Sequence, residues 1–349
     1  MSEFKIGKFS INENSPTFII AELSANHNQN LKIALDTVVA AKEAGADAIK
    51  LQHYKPDTIT LDCNNQYFQI QQGTIWDGKT LYKLYEEAFM PWEWTEQIME
   101  LAHSIGLECF SSPFDFTAVD FLEMFSVPAY KIASFEITDI PLIEYVASKG
   151  KPIIISTGIA TLADIELAID ACHRNGNTQI ALLKCTSSYP APLESINLNT
   201  IPNIKSTFQT IVGLSDHTLG ISVPIASVAL GAKIIEKHFI LDKSVGGPDS
   251  SFSLEPSAFK LMVESIREVE KALGKVTYDL DEKSLKSKEF SRSLFAVKDI
   301  INGDLLTSDN VKSIRPGFGM HPKHYWEVIG KVANKDILRG TPLNFDLIC

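Results

Sequence analysis

Apolar residues recur along most of this chain in two alternating rhythms. Short, nearly continuous apolar runs read as buried strands: Thr17 to Ala21, Ala48 to Tyr54, Glu108 to Asp115, Ala129 to Glu136, Pro152 to Gly158, Gln179 to Pro190, Val212 to Leu214, and Ile234-Ile235. Between them apolar residues fall at helical spacing over Leu31 to Ala44, Pro91 to Ser104, Phe116 to Phe125, Ile140 to Ser148, Leu162 to Arg174, Ser222 to Leu230 and Glu255 to Leu273. Gly45, Gly106 and Gly150 stand where three of these helices stop, and Thr161 stands where an N-cap belongs. Eight strands alternating with helices, and no hairpin signal between them, predict a (β/α)₈ TIM barrel over 1–276. An open doubly wound sheet is the alternative, but no Gly-x-Gly-x-x-Gly follows the first strand. The segment from Lys55 to Met90 is far longer than the usual βα loop of about 2–6 residues, which marks it as functional.

The rhythm changes late in the chain. Residues 277–289 are charged and poor in apolar residues, and read as a linker. Over 290–349 the apolar runs are short and broken by Gly and Pro, which predicts a small, mainly β domain with a marginal core of its own. The formal net charge of −11, with no long basic run, argues against nucleic acid or an anionic membrane as partner. Cys63, Cys109, Cys172, Cys185 and Cys349 are scattered, odd in number and without CxxC spacing; we read them as reduced thiols of a cytoplasmic protein. No secretory pattern opens the sequence, and no apolar run approaches the ~20 residues that span a bilayer.

In a parallel barrel the C-terminal strand ends share one face. They carry Glu22, Lys50 and Gln52, then Phe114, Lys131, Ser134, Glu136 and Ser156. Further along come Lys184, Ser187, Tyr189, Ser215, Asp216, His217, Glu236, Lys237 and His238. Lys50 and Lys131 lie inside apolar strands, where an unpaired charge is costly. Either they pair with a carboxylate such as Glu22 or Glu136, or they meet an anionic ligand; strand-end serines favour phosphate or carboxylate. His217 and His238 end neighbouring strands, so two imidazoles there are either packed or hold a divalent metal with positions left open for water and substrate. Imidazole mixed with oxygen ligands suits Mn²⁺. Arg315, in Arg315-Pro-Gly-Phe-Gly, is either a surface arginine or one held in a turn and aimed at an anionic group.

Taken together, these stretches resemble the sialic acid synthases. The resemblance rests on Ile20-Ala-Glu-Leu-Ser-Ala-Asn-His-Asn, Ala44-Gly-Ala-Asp-Ala-Ile-Lys-Leu-Gln, Ser112-Pro-Phe-Asp, Tyr130-Lys-Ile-Ala-Ser and Ile155-Ser-Thr-Gly. It continues through Cys185-Thr-Ser-Ser-Tyr-Pro, Gly213-Leu-Ser-Asp-His-Thr, Glu236-Lys-His-Phe, Gly247-Pro-Asp and Arg315-Pro-Gly-Phe-Gly. Leu23-Ser-Ala-Asn, the insert Thr74-Ile-Trp-Asp-Gly-Lys-Thr-Leu-Tyr and Met90-Pro-Trp-Glu-Trp are most similar to the pseudaminic acid branch of that family.

The resemblance implies a metal-dependent condensation of phosphoenolpyruvate with an N-acylated amino sugar, here 2,4-diacetamido-2,4,6-trideoxy-L-altrose, and an antifreeze-like (SAF) C-terminal domain in a domain-swapped homodimer. By position it implies that Lys50, Lys131, Ser134, Ser156, Ser187 and Ser215 bind phosphoenolpyruvate, although Ser187 stands where an Asn is usual in the neuraminic acid branch. His217 and His238 would hold Mn²⁺, with Mg²⁺ or Co²⁺ as alternatives, and Glu22 would position a water or hydroxyl. Gln52, Phe114, Tyr189 and Asp249 would contact substrates, and Arg315 would reach the sugar's N-acyl group from the other subunit. The Trp76 insert is expected to shape a pocket for a less polar, 6-deoxy sugar. Rival readings are a neuraminic or legionaminic acid synthase, a pyruvate aldolase using Lys131 or Lys184 as a Schiff base, and a carbohydrate- or ice-binding module without catalysis.

Overall fold

A computed structural model describes residues 4–349, which divide into two compact units, one ending at Gly274 and the other running Lys275–Cys349. The first unit is a closed barrel of eight parallel strands. They are β1 (Phe18–Glu22), β2 (Ala48–His53), β3 (Glu108–Pro113), β4 (Tyr130–Ile132), β5 (Ile153–Ser156), β6 (Ile180–Cys185), β7 (Ile211–Asp216) and β8 (Ile234–His238). Each pairs with its sequence neighbour, and β8 closes the ring on β1 with Ile234 opposite Phe18 and His238 opposite Glu22. Nearly every strand residue is buried, because barrel side chains face either the interior or the helices and neither side meets water. Gly213 is required where the wall is tightest: a Cβ there would strike the Ile234 carbonyl and stand 2.6 Å from Leu183 Cδ2.

The helices dock by one apolar face. Helix Pro256–Leu273 buries Phe259, Met262, Val263 and Ile266, at helical spacing, and each such side chain contributes about 1.5–3 kcal/mol. Helix Leu162–Arg174 starts as its sequence indicates, with Thr161 and Asp164 forming a reciprocal capping box. Several elements lie outside the sequence reading. A hairpin of Phe4–Ile6 and Phe9–Ile11 precedes the barrel, turning at Gly7 with φ +51°. Helix Thr200–Phe208 fills the β6–β7 connection; Pro202 sits in its first turn, where the missing N–H is harmless, so the Asn- and Pro-rich stretch masks a helix. The long segment after β2 is not bare loop, since it contains helices Pro56–Ile59 and Leu81–Ala88.

In the second unit β9 (Ser293–Ala296) and β10 (Val311–Ile314) pair antiparallel, over a core that includes Leu294, Leu306, Val311 and Val328. The charged stretch 277–289 carries a short helix, Glu282–Ser287, capped by the Asp281 side chain on Ser284 N–H. Its residues are all exposed, which is why its composition resembles a linker's. Among the described residues no helix is long and apolar enough to cross a membrane.

Candidate active site

Period-two alternation decides which strand-end residues enter the barrel. Glu22, Lys50, Lys131, Ser156, Cys185, Ser215, Glu236 and His238 do, and with His217 they line an inner chamber of about 60 Å³. Lys50 Nζ lies 2.6 Å from Glu22 Oε2 and donates to Ser112 Oγ at 3.2 Å. Lys131 Nζ donates to Ser156 Oγ at 2.7 Å and stands 3.8 Å from Glu236 Oε1. Its carboxylate partner is therefore Glu236, and the expectation of Glu136 in that role is corrected. Both lysines approach Glu236, since Lys50 Nζ is 3.9 Å from Glu236 Oε2. Ser215 Oγ donates to Glu236 Oε1 at 2.9 Å, and Gln52 Nε2 donates to Glu22 Oε1 at 2.9 Å. Ser187 Oγ donates to Ser134 Oγ at 2.7 Å beside them.

Burial sets the protonation states. Desolvation pushes the Glu22 carboxyl up to about 7 despite the Lys50 ammonium beside it. Burial also opposes ionisation of Glu236, but Lys131 and Lys50 outweigh it and hold that carboxyl below its ordinary range. Burial lowers Lys131, whereas for Lys50 the attraction of Glu22 and Glu236 exceeds the burial penalty and its ammonium is favoured.

The two imidazoles stand side by side at 5.3 Å between ring centroids. His217 Nδ1 is 3.1 Å from the Thr186 carbonyl, which requires a proton on Nδ1, so in the neutral ring Nε2 carries the lone pair. His238 Nδ1 is buried with no hydrogen-bond partner, 3.6 Å from Asp249 Oδ2. Desolvation, reinforced by His217 and Lys50, holds the His238 ring well below its usual pKa and therefore neutral. Among the described residues no three His, Cys, Asp or Glu side chains stand together in metal-ligating geometry.

An outer chamber of about 190 Å³ adjoins the first and shares Gln52, Ala133, Ser134, Tyr189 and His238 with it. Phe114, Trp76 and Asp249 line it, as do Tyr54, Tyr85 and Glu136. Tyr189 bridges the chambers, its ring 4.5 Å from His217 and 5.4 Å from Trp76. A larger cavity of about 860 Å³ lies around the start of β1 and helix Pro256–Leu273. Three of its cations are already engaged, Lys205 with Glu13, Lys233 with the Ser15 carbonyl and Arg267 with Asp47 and Glu270. Chemistry in parallel barrels belongs to the C-terminal strand ends, so the smaller chambers form the site.

Three strand-end residues do not join it. Lys237 and Asp216 pair with each other, away from the chambers. Lys184 donates to the Cys185 carbonyl and Thr186 Oγ1 and lines a separate groove, which removes it as a Schiff-base candidate for this site. Arg315 is exposed in the second unit. Sequence reasoning assigned no role to Glu236. For Glu236 the signal was present: it lies two residues before His238 and so must share its face.

Residues 37–278 match the NeuB family, and residues 291–348 match the SAF domain. The chain belongs to the NeuB family. This NeuB-family chain is 50% identical over 339 residues to the pseudaminic acid synthase of Campylobacter jejuni, covering 97% of this chain and 98% of the relative. It is 48% identical over 332 residues to the pseudaminic acid synthase of Helicobacter pylori, covering 95% and 97%. Among solved structures it is similar to the N-acetylneuraminic acid synthetase of Leptospira borgpetersenii, with a TM-score of 0.73 and 31% identity over 83% of this chain and 96% of that one.

Proposed function

We propose that this NeuB-family chain is a pseudaminic acid synthase, condensing phosphoenolpyruvate with 2,4-diacetamido-2,4,6-trideoxy-L-altrose and water to give pseudaminic acid and phosphate. The observation that carries the reading is the pair of buried lysines, Lys50 and Lys131, among serine hydroxyls and beside two imidazoles at the C-terminal strand ends. The two near-full-length relatives of that name support the choice of sugar.

In this reading Lys50, Lys131, Ser134, Ser156, Ser187 and Ser215 hold the phosphate and carboxylate of phosphoenolpyruvate. Without substrate, two ammoniums face two carboxylates and the chamber is near neutrality. An arriving multiply charged anion adds negative charge, which a proton retained on Glu22 helps to offset. The donor set fits a divalent cation, because His238 offers a buried, neutral imidazole with an unpartnered nitrogen and His217, in its neutral form, the lone pair of Nε2. His217 and His238 would hold it, and Mn²⁺ suits imidazole completed by oxygen ligands. Such a cation supplies Lewis-acid polarisation of the sugar's aldehyde carbonyl.

The chambers hold the two substrates end to end, so that C3 of phosphoenolpyruvate faces the aldehyde carbon. As that C–C bond forms, the aldehyde oxygen takes the proton that Glu22 holds, which leaves Glu22 a carboxylate, and positive charge develops at C2. Water then adds to C2, with Glu22 placed to accept the proton it releases. Phosphate leaves by C–O cleavage, and the 2-keto acid remains. Gln52, Phe114, Tyr189 and Asp249 line the sugar's path. Arg315 acts across a domain-swapped homodimer, on the N-acyl group in the partner's barrel, and the enzyme works in the cytoplasm, where phosphoenolpyruvate is made.

The test is phosphate release from phosphoenolpyruvate with a panel of N-acylated hexoses, with and without chelator. Release with the diacetamido-trideoxy sugar, lost on chelation, is expected. Turnover of N-acetylmannosamine alone would refute the assignment.

A further inference from the structure

The outer chamber has two kinds of wall. Its polar groups include Ser24, Gln52, Ser134, Glu136, His238 and Asp249, with Tyr54, Tyr85 and Tyr189 presenting hydroxyls at the ends of their rings. A second patch, Ile59, Leu84 and Ala88, offers only carbon. Ile59 ends helix Pro56–Ile59, and Leu84 and Ala88 lie one turn apart on a single face of helix Leu81–Ala88. The two helices pack against each other, so the three side chains form one surface. The same connection carries a latch. Trp76 Nε1 donates to the Pro248 carbonyl at 3.0 Å, next to Asp249. The Asp77 carboxylate fixes the turn beneath it, accepting from the N–H groups of Gly73 and Thr74 at 2.9 Å each. The carbon wall is thereby tied to the loop that carries Asp249, and the chamber is shaped before substrate enters.

We propose that Ile59, Leu84 and Ala88 select the sugar by its last carbon, accepting a methyl group and disfavouring a hydroxymethyl group. This rests on the synthase reading above. The sugar's aldehyde must lie by His238, which both chambers share, so its far end extends into the outer chamber alone. A terminal hydroxyl against three aliphatic side chains gives up its water and finds no partner. Apolar pockets reject an added hydroxyl only modestly, so a preference of about 10–100-fold in kcat/KM is expected. The latch keeps the wall in place, and Trp76 acts as a positioning residue.

The experiment compares kcat/KM for the 6-deoxy diacetamido sugar and its 6-hydroxy counterpart, with phosphoenolpyruvate, in wild type, Ala88→Ser and Ile59→Thr. Each variant adds a hydroxyl at the wall with little change of volume. The wild type should prefer the 6-deoxy sugar, and both variants should narrow that preference by improving the 6-hydroxy substrate, with the KM for phosphoenolpyruvate unchanged. Trp76→Ala should raise KM for both sugars and leave that for phosphoenolpyruvate alone. Equal use of both sugars by the wild type, or a preference untouched in both wall variants, overturns the inference and leaves the synthase reading standing. No phosphate release with either sugar overturns both.

Discussion

Gly158, two residues past the end of β5, lies against two of the hydroxyls proposed to hold phosphoenolpyruvate, those of Ser134 and Ser187. A Cβ built at this position stands 2.5 Å from Ser134 Oγ, closer still to Ser187 Oγ, and 3.0 Å from Cys185 Sγ. The ordinary separation is about 3.5 Å, so Gly158→Ala forces each hydroxyl to retreat by roughly 1 Å. Serine rotamers can supply that movement, and the fold survives at an overpacking cost of about 1–3 kcal/mol. The Ser187–Ser134 hydrogen bond, 2.7 Å in the native protein, is lost in the process. A hydroxyl bonded to an anion contributes about 1.5–3 kcal/mol, so displacing even one weakens phosphoenolpyruvate binding by about 10–100-fold.

Calorimetric titration with phosphoenolpyruvate and thermal unfolding read the two effects separately. Ser187→Ala is the control, removing one hydroxyl without crowding; it should weaken binding with little loss of stability. A Gly158→Ala protein that unfolds at lower temperature yet binds phosphoenolpyruvate as the wild type does would refute the placement of the anion at these serines.

His238→Ala removes an imidazole that makes no hydrogen bond through Nδ1, so the fold should tolerate it. Metal-dependent phosphate release should vanish while calorimetric binding of phosphoenolpyruvate stays largely intact, and loss of both would count against two separable halves of the site. Burial pushes Glu136 up to about 7 from an ordinary 4.5. The native state thus holds a proton that the unfolded chain has released, and the resulting stability is complete below pH 4.5 and lost as pH rises through 7. Glu136→Gln should therefore shrink the stability difference between pH 5 and pH 8 by about 1–3 kcal/mol in urea unfolding, and an unchanged difference would contradict the burial argument. If Arg315 acts across a dimer, co-expressed Arg315→Ala and His238→Ala chains, each inactive alone, should recover up to about a quarter of wild-type activity, because half the mixed dimer's sites are whole. No recovery would place Arg315 in its own subunit's site.

Much of this protein was legible in one dimension. The alternation of apolar runs and helical faces specified eight βα units, because each strand is buried on both sides and each helix on one, and that demand is written locally. The change of rhythm beyond residue 276 reads as a second unit, and the compact units of the structure divide between Gly274 and Lys275. Strand-end position named Glu22, Lys50, Lys131, the serines and the two histidines, since residues at the ends of parallel strands must converge. Barrel closure decided the rest. Lys184, Lys131 and Lys237 look alike in sequence, yet only Lys131 enters the chamber, because inward or outward aim depends on the register each strand adopts against its neighbours. Glu236 became the carboxylate shared by both lysines only when β8 paired with β7 and stood across the barrel from β2 and β4. The Trp76 insert was visible as a motif, but the carbon wall of Ile59, Leu84 and Ala88 and its latch from Trp76 to Pro248, 172 residues away, were not. Contacts at that separation have no period to read, because the chain between them is folded into the barrel itself.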